Sequence, residues 1–155
     1  MPTITTDLDQ EAAHRFFAAH CFNEAWILLR KAQRTRDEEV QLIALAHASL
    51  YHWSQRPDVS RQNYAISYWQ LSRVDSVCGF GEGARWWGSL CQEYSTGEGA
   101  FYEGYACEAL ARAAHVQGDL EALQAYRAQG LVLAAAVEDP EERAVLVTDL
   151  NSIQG

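Results

Sequence analysis

Five residues in the middle of the chain have the types and spacing to grip a ligand. Trp69 and Arg73 stand four apart, and Tyr105, Glu108 and Arg112 follow one another at steps of three and four. On a helix such steps bring side chains to one face. A constant offset of 39 carries Trp69 onto Glu108 and Arg73 onto Arg112, so matching positions on two helices would face a common space. An indole face, two guanidinium groups and a carboxylate gathered there would form a polar groove. Arg suits a carboxylate or phosphate because its planar fork makes two parallel hydrogen bonds. A plainer use of the same residues is a Glu108–Arg112 pair worth roughly 0.2–0.5 kcal/mol, with Trp69 in the core and each Arg bridging helices.

Histidines offer a second chemistry. His47 falls on one helical line with Val40, Ala44 and Tyr51, while Leu42, Ala46, Ser49 and Trp53 form another, so this helix is expected to be covered on more than one side. His47 is either a hydrogen-bonded core residue or an acid–base group in a pocket, with Tyr51 beside it. His52 lies five residues further, about 140° around the helix, too far for both rings to meet one ion. Near a helix end, its imidazolium would suit the negative end of the dipole. Glu11 and His14 have the E-x-x-H spacing of carboxylate-bridged di-iron bundles, but a second copy and two further Glu are lacking. The glycines of GFGEG (79–83) lack the Lys and the preceding strand of a phosphate loop, and neither G-x-S-x-G nor H-E-x-x-H occurs. No catalytic residue, metal site or cofactor is therefore expected.

The elements that position these groups read as helices throughout. Thr6, with Asp9 three places on, is expected to open a helix to about Lys31 that buries Ala12, Phe16, Ala19, Phe22, Trp26 and Leu29. Thr35 and Glu38 form a capping box for a second helix, which ends near Gln55 because the residue before Pro57 is pushed out of helical geometry. Ser60 caps a third helix to Cys78. A fourth starts near Glu82 and carries Trp86 and Trp87, adjacent and so about 100° apart, one for the core and one free for a dimer contact. A fifth follows STGEG (95–99), with Tyr102, Ala106, Ala109, Ala113 and Val116 on its buried line. Gly118 and Asp119 stop it and start a sixth, which carries Leu123, Tyr126, Gly130 and Leu133. Asp139, Pro140 and Glu142 begin a seventh, whose Leu146, Leu150 and Ile153 are expected to dock on the sixth as a lid. No segment alternates with the period of a strand.

The offset of 39 extends well beyond the groove. Leu71, Arg73, Val77, Gly79 and Glu82 are answered by Leu110, Arg112, Val116, Gly118 and Glu121. A helix bearing an Arg near its end, a glycine, an acidic turn and a second helix recur, as in stacked helix pairs that bury apolar faces on their neighbours.

Composition narrows the partners. The 155 residues are 48% hydrophobic and 21% charged, as in ordinary globular proteins, with a formal net charge of -9. Lys31 is the one lysine and the arginines are scattered, so nucleic acid and anionic membranes are disfavoured. The start MPTITTDLDQ lacks the pattern of a signal peptide, and no apolar run approaches a membrane span. A cytoplasmic setting is expected, with Cys21, Cys78, Cys91 and Cys107 as buried small hydrophobes rather than disulfides.

The Ala-rich helix, Gly-Asp turn and alternation of small and large residues in YACEALARAAHVQGDLEALQAY (105–126) resemble tetratricopeptide repeats, at a longer offset than their roughly 34 residues. With HASLYHW (47–53) and YWQLSRV (68–74), the chain also resembles a family of uncharacterised bacterial proteins of this size. The resemblance implies an all-α, right-handed array of about seven antiparallel helices in one domain over 1–155: a divergent pair near 7–56, repeat-like pairs near 60–95 and 99–137, and a capping helix near 139–153. It also implies a protein or peptide partner along the surface lined by the first helices. The reading is then a non-catalytic binding module for an acidic or carboxylate-bearing partner, using Trp69, Arg73, Tyr105, Glu108 and Arg112 with His47 and Tyr51. The alternative is a small-molecule pocket or enzyme with His47 enclosed between helices.

Overall fold

The computed structural model describes residues 9–154. Seven helices and no strand occur among them: α1 (Gln10–Leu29), α2 (Arg36–Ser54), α3 (Arg61–Val77), α4 (Gly81–Ser95), α5 (Ala100–Gln117), α6 (Leu120–Ala135) and α7 (Pro140–Asn151). Five of the seven starts carry a side-chain cap, and α4 and α5 do not. Thr35 and Glu38 close a reciprocal capping box on α2, and Ser60 and Asn63 do the same on α3. Asp119 accepts from the Ala122 amide, and Asp139 from those of Glu141 and Glu142, ahead of α6 and α7. The first helix departs from expectation. Its cap is Asp9, whose carboxylate takes the Ala12 amide, whereas Thr6 lies outside the described residues.

The duplication is structural. An offset of 39 carries Arg61, which opens α3, onto Ala100, which opens α5, and Gly81, which opens α4, onto Leu120, which opens α6. The two turns repeat bond for bond. Gly79 and Gly118 have φ of 82° and 73°, a left-handed backbone that a side chain resists. Phe80 donates to the Asp75 carbonyl at 2.8 Å, and Asp119 to the Ala114 carbonyl at 2.9 Å. Both bonds satisfy carbonyls that the helix end would leave free.

Packing pairs α1 with α2, α3 with α4, and α5 with α6, and α5 also touches α3, α4 and α7. It is the most enclosed helix: Ala106, Cys107, Ala109, Leu110, Ala111, Ala113 and Ala114 are all buried, their small side chains admitting close neighbours. Ala25, Leu42, Ala46, Leu71 and Val74 make one core between α1, α2 and α3. At the other end Ala134, Val137, Leu146 and Leu150 make a second. The seventh helix docks on α5 as well as on α6.

Two sequence expectations for the N-terminal pair are corrected. Along α1 the buried line is Ala18, Cys21 and Ala25, while Phe16 and Ile27 are exposed. Close approach to α2 buries these small residues fully, while Phe22, Trp26 and Leu29 are half-buried and Ala12 and Ala19 are exposed. Along α2 only the Leu42, Ala46, Ser49 line is buried, and Val40, Ala44, His47 and Tyr51 face solvent.

Candidate functional site

Trp69, Arg73, Glu108 and Arg112 converge on the seam between α3 and α5. Glu108 is completely buried. Its Oε2 accepts the indole N–H of Trp69 at 2.8 Å. Its Oε1 accepts from Arg73 at 2.8 Å and also from Nε of Arg112. The carboxylate that the two guanidinium groups grip is therefore the chain's own. Positions related by the internal duplication bond to one another: Trp69 and Glu108 are 39 residues apart and share a hydrogen bond. The Glu108 carboxylate persists at depth because Arg73 and Arg112 neutralise it and, with the Trp69 N–H, satisfy its oxygens.

The two arginines are used differently. Arg112 also donates from its second nitrogen to the Asp149 carbonyl at 3.2 Å and to Ser152 Oγ at 2.9 Å, tying the end of α7 to α5. Among the described residues Arg73 makes one hydrogen bond, through a single terminal nitrogen, and it keeps 21% of its side-chain surface exposed. Burial holds its guanidinium below the ordinary value, with Glu108 opposing. Tyr105 joins the same assembly through its hydroxyl, which donates to Asp149 at 2.8 Å, and through an edge-on contact with Trp69 at 5.4 Å.

Two depressions flank this buried network. One, of about 250 Å3, is walled by Ala65, Ile66 and Trp69 of α3, Cys91 and Ser95 of α4, and Phe101, Tyr102 and Tyr105 of α5. The other, of about 320 Å3, lies where the ends of α3, α5 and α7 meet, and includes Arg73, Ser76, Arg112, His115 and Ser152. The buried Ser76 Oγ has no hydrogen-bond partner. Trp69 and Arg73, one turn apart on α3, set the two side by side.

His47 and Tyr51 are placed elsewhere. His47 is exposed, with its ring 5.7 Å from that of Trp87, and lines neither depression. It ends a row of rings that sequence reasoning missed: Trp87 stacks on Tyr68, and Tyr68 meets Tyr64 and Tyr94. Beside the row, burial raises the Asp75 carboxyl above its usual range, with His47 and Trp87 opposing. Tyr51 lies near His14 and His52, whose Nδ1 atoms are 2.8 Å apart. His52 lies in the last turn of α2, and burial, then His14, lower its pKa. Trp86 is exposed, and all four cysteines are free. Among the described residues no group of three or more potential ligands could hold a metal ion, and no helix is long and apolar enough to cross a membrane.

Comparisons with known family profiles, curated proteins and solved structures find no match.

Proposed function

We propose that the chain is a non-catalytic binding module: a tetratricopeptide-like, right-handed array of antiparallel helical hairpins, capped by α7, that takes a protein or peptide segment along the α3–α5 seam. The observation that supports this most is the adjacency of the two depressions, Trp69 lining the apolar one and Arg73 the polar one. Four residues of helix span about 6 Å. That is the reach of one residue whose apolar side chain enters the first while its carboxylate meets Arg73. Arg73 rather than Arg112 is the anchor, since Arg112 is committed to Glu108 and to the end of α7. A net charge of -9 repels polyanions, so the partner offers a single carboxylate rather than an acidic stretch.

Calorimetric titration with a short peptide ending in Phe tests this, comparing the free carboxylate with the C-terminal amide. The carboxylate form should bind about tenfold tighter, the scale of one charge-assisted hydrogen bond. Arg73→Lys keeps a charge opposite Glu108 but loses the fork, and should narrow the difference to about threefold or less. Equal binding of the two peptides, or binding of neither, overturns the reading.

A further inference from the structure

The apolar depression has a chemistry more specific than its shape. The N–H and O–H donors of its aromatic walls are already engaged. The Trp69 N–H goes to Glu108, the Tyr105 hydroxyl to Asp149, and the Tyr102 hydroxyl to Gln62 at 3.1 Å. Ser95 Oγ lies 3.8 Å from Cys91 Sγ, and both residues are 1% exposed. The walls also carry no charge: burial pushes the Cys91 thiol up to about 12 and raises the Tyr105 phenol, with its bond to Asp149 adding to the effect. What remains for an occupant is carbon. Much of that carbon is aromatic and set edge to face, Trp69 against Tyr105 at 78° and Phe101 against Tyr105 at 73°. Such walls suit a further ring in an offset or edge-on pose. Roughly 150 Å3 of cavity holds a benzene, so about 250 Å3 seats one substituted ring.

We infer that this cleft between α3, α4 and α5 receives one uncharged aromatic ring and offers it no hydrogen bond. The inference rests on the seam being a binding surface, and it identifies the side chain that a partner inserts there as Phe-like, with no hydroxyl or ring nitrogen entering the cleft. A polar atom on the ring would lose its water and find no replacement.

The test uses small probes on the unaltered chain, followed by NMR through the Trp69 indole N–H signal. Toluene, ethylbenzene and propylbenzene should bind with affinity rising about fourfold per methylene until the cleft is full. 4-Ethylphenol should bind at least about tenfold more weakly than ethylbenzene. Ile66→Trp, at a position 37% exposed, should block the probes without lowering the melting temperature. Equal or tighter binding of 4-ethylphenol, or neutral rings that leave the Trp69 signal unmoved, overturns the inference. If peptides bind and neutral rings do not, the module reading stands and the cleft assignment falls. The reverse result keeps the cleft and removes the peptide.

Discussion

Neutralising Glu108 asks how much the α3–α5 seam depends on its single anion. Glu108→Gln leaves two guanidinium groups, at 21% and 16% side-chain exposure, facing an amide that cannot balance them. Breaking a buried pair from one side costs about 3–5 kcal/mol, and the residual exposure places this case toward the lower end. Trp69→Phe removes one donor and keeps most of the ring, so about 1–2 kcal/mol is expected. Urea unfolding of both variants should therefore rank Glu108→Gln as the more damaging. The reverse order would mean that the ring, and not the charge, holds the seam. The same reasoning makes Arg112→Ala unsuitable as a clean binding variant, since it would also free the end of α7.

At the scale of elements, two junctions are open to direct measurement. Helix α7 lies closely on α5 and α6 at Gly130: a Cβ there would stand 2.7 Å from a Leu150 methyl and 3.2 Å from Cys107 Cβ. Gly130→Ala gains up to about 1 kcal/mol of helix propensity. Against that, overpacking a filled core costs about 1–3 kcal/mol. Leu150 is fully buried and has little room to move, so net destabilisation is expected, read as a lower urea midpoint. A higher midpoint would show that α7 is loosely seated. The other junction joins α1 to α2 through His14 and His52. Their facing nitrogens share one proton comfortably and two poorly. Nearby, Arg56 and then Arg15 hold the Asp58 carboxylate well below its ordinary range, so it stays ionised throughout and does not confuse the titration. The folded chain binds a proton at His52 less readily than the unfolded chain, where the side chain titrates near 6.5. Stability is therefore complete above that value and is lost as pH falls through the lowered folded pKa. The melting temperature should drop between pH 7.5 and 5, and His52→Asn should flatten the drop. An unchanged slope in that variant would exclude the pair as its source.

For the molecule as a whole, the helices were largely legible because their ends carry local chemistry: the Thr35–Glu38 box, Gly118 before Asp119, and Asp139 before Pro140 each act within four residues. The seam was legible for a different reason. Duplication placed equivalent residues on adjacent helices, so an offset in sequence became a contact in space. Depth was not legible. Nothing local distinguishes a groove carboxylate from Glu108, whose partners Trp69 and Arg73 lie 39 and 35 residues away. Asp149 and Ser152, which occupy Tyr105 and Arg112, come from α7 and its C-cap, outside the duplicated stretch. On α1 the 3.6-residue period was legible but its phase was not, because close helix contact buries the small Ala18, Cys21 and Ala25 rather than the larger line beside them. The His14–His52 contact joins two separate helices and left no mark in spacing.

Whether a partner occupies this seam can be measured at its own side chains. NMR titration with a Phe-terminated peptide bearing a free carboxylate addresses it most directly. The signals of the Trp69 indole N–H, the Arg73 Nε–H and the Ile66 methyls should shift together and saturate at one peptide per chain. Saturation with those three unmoved, or with shifts confined to Tyr64, Tyr68, Trp87 and Tyr94, would contradict the proposed binding at the seam.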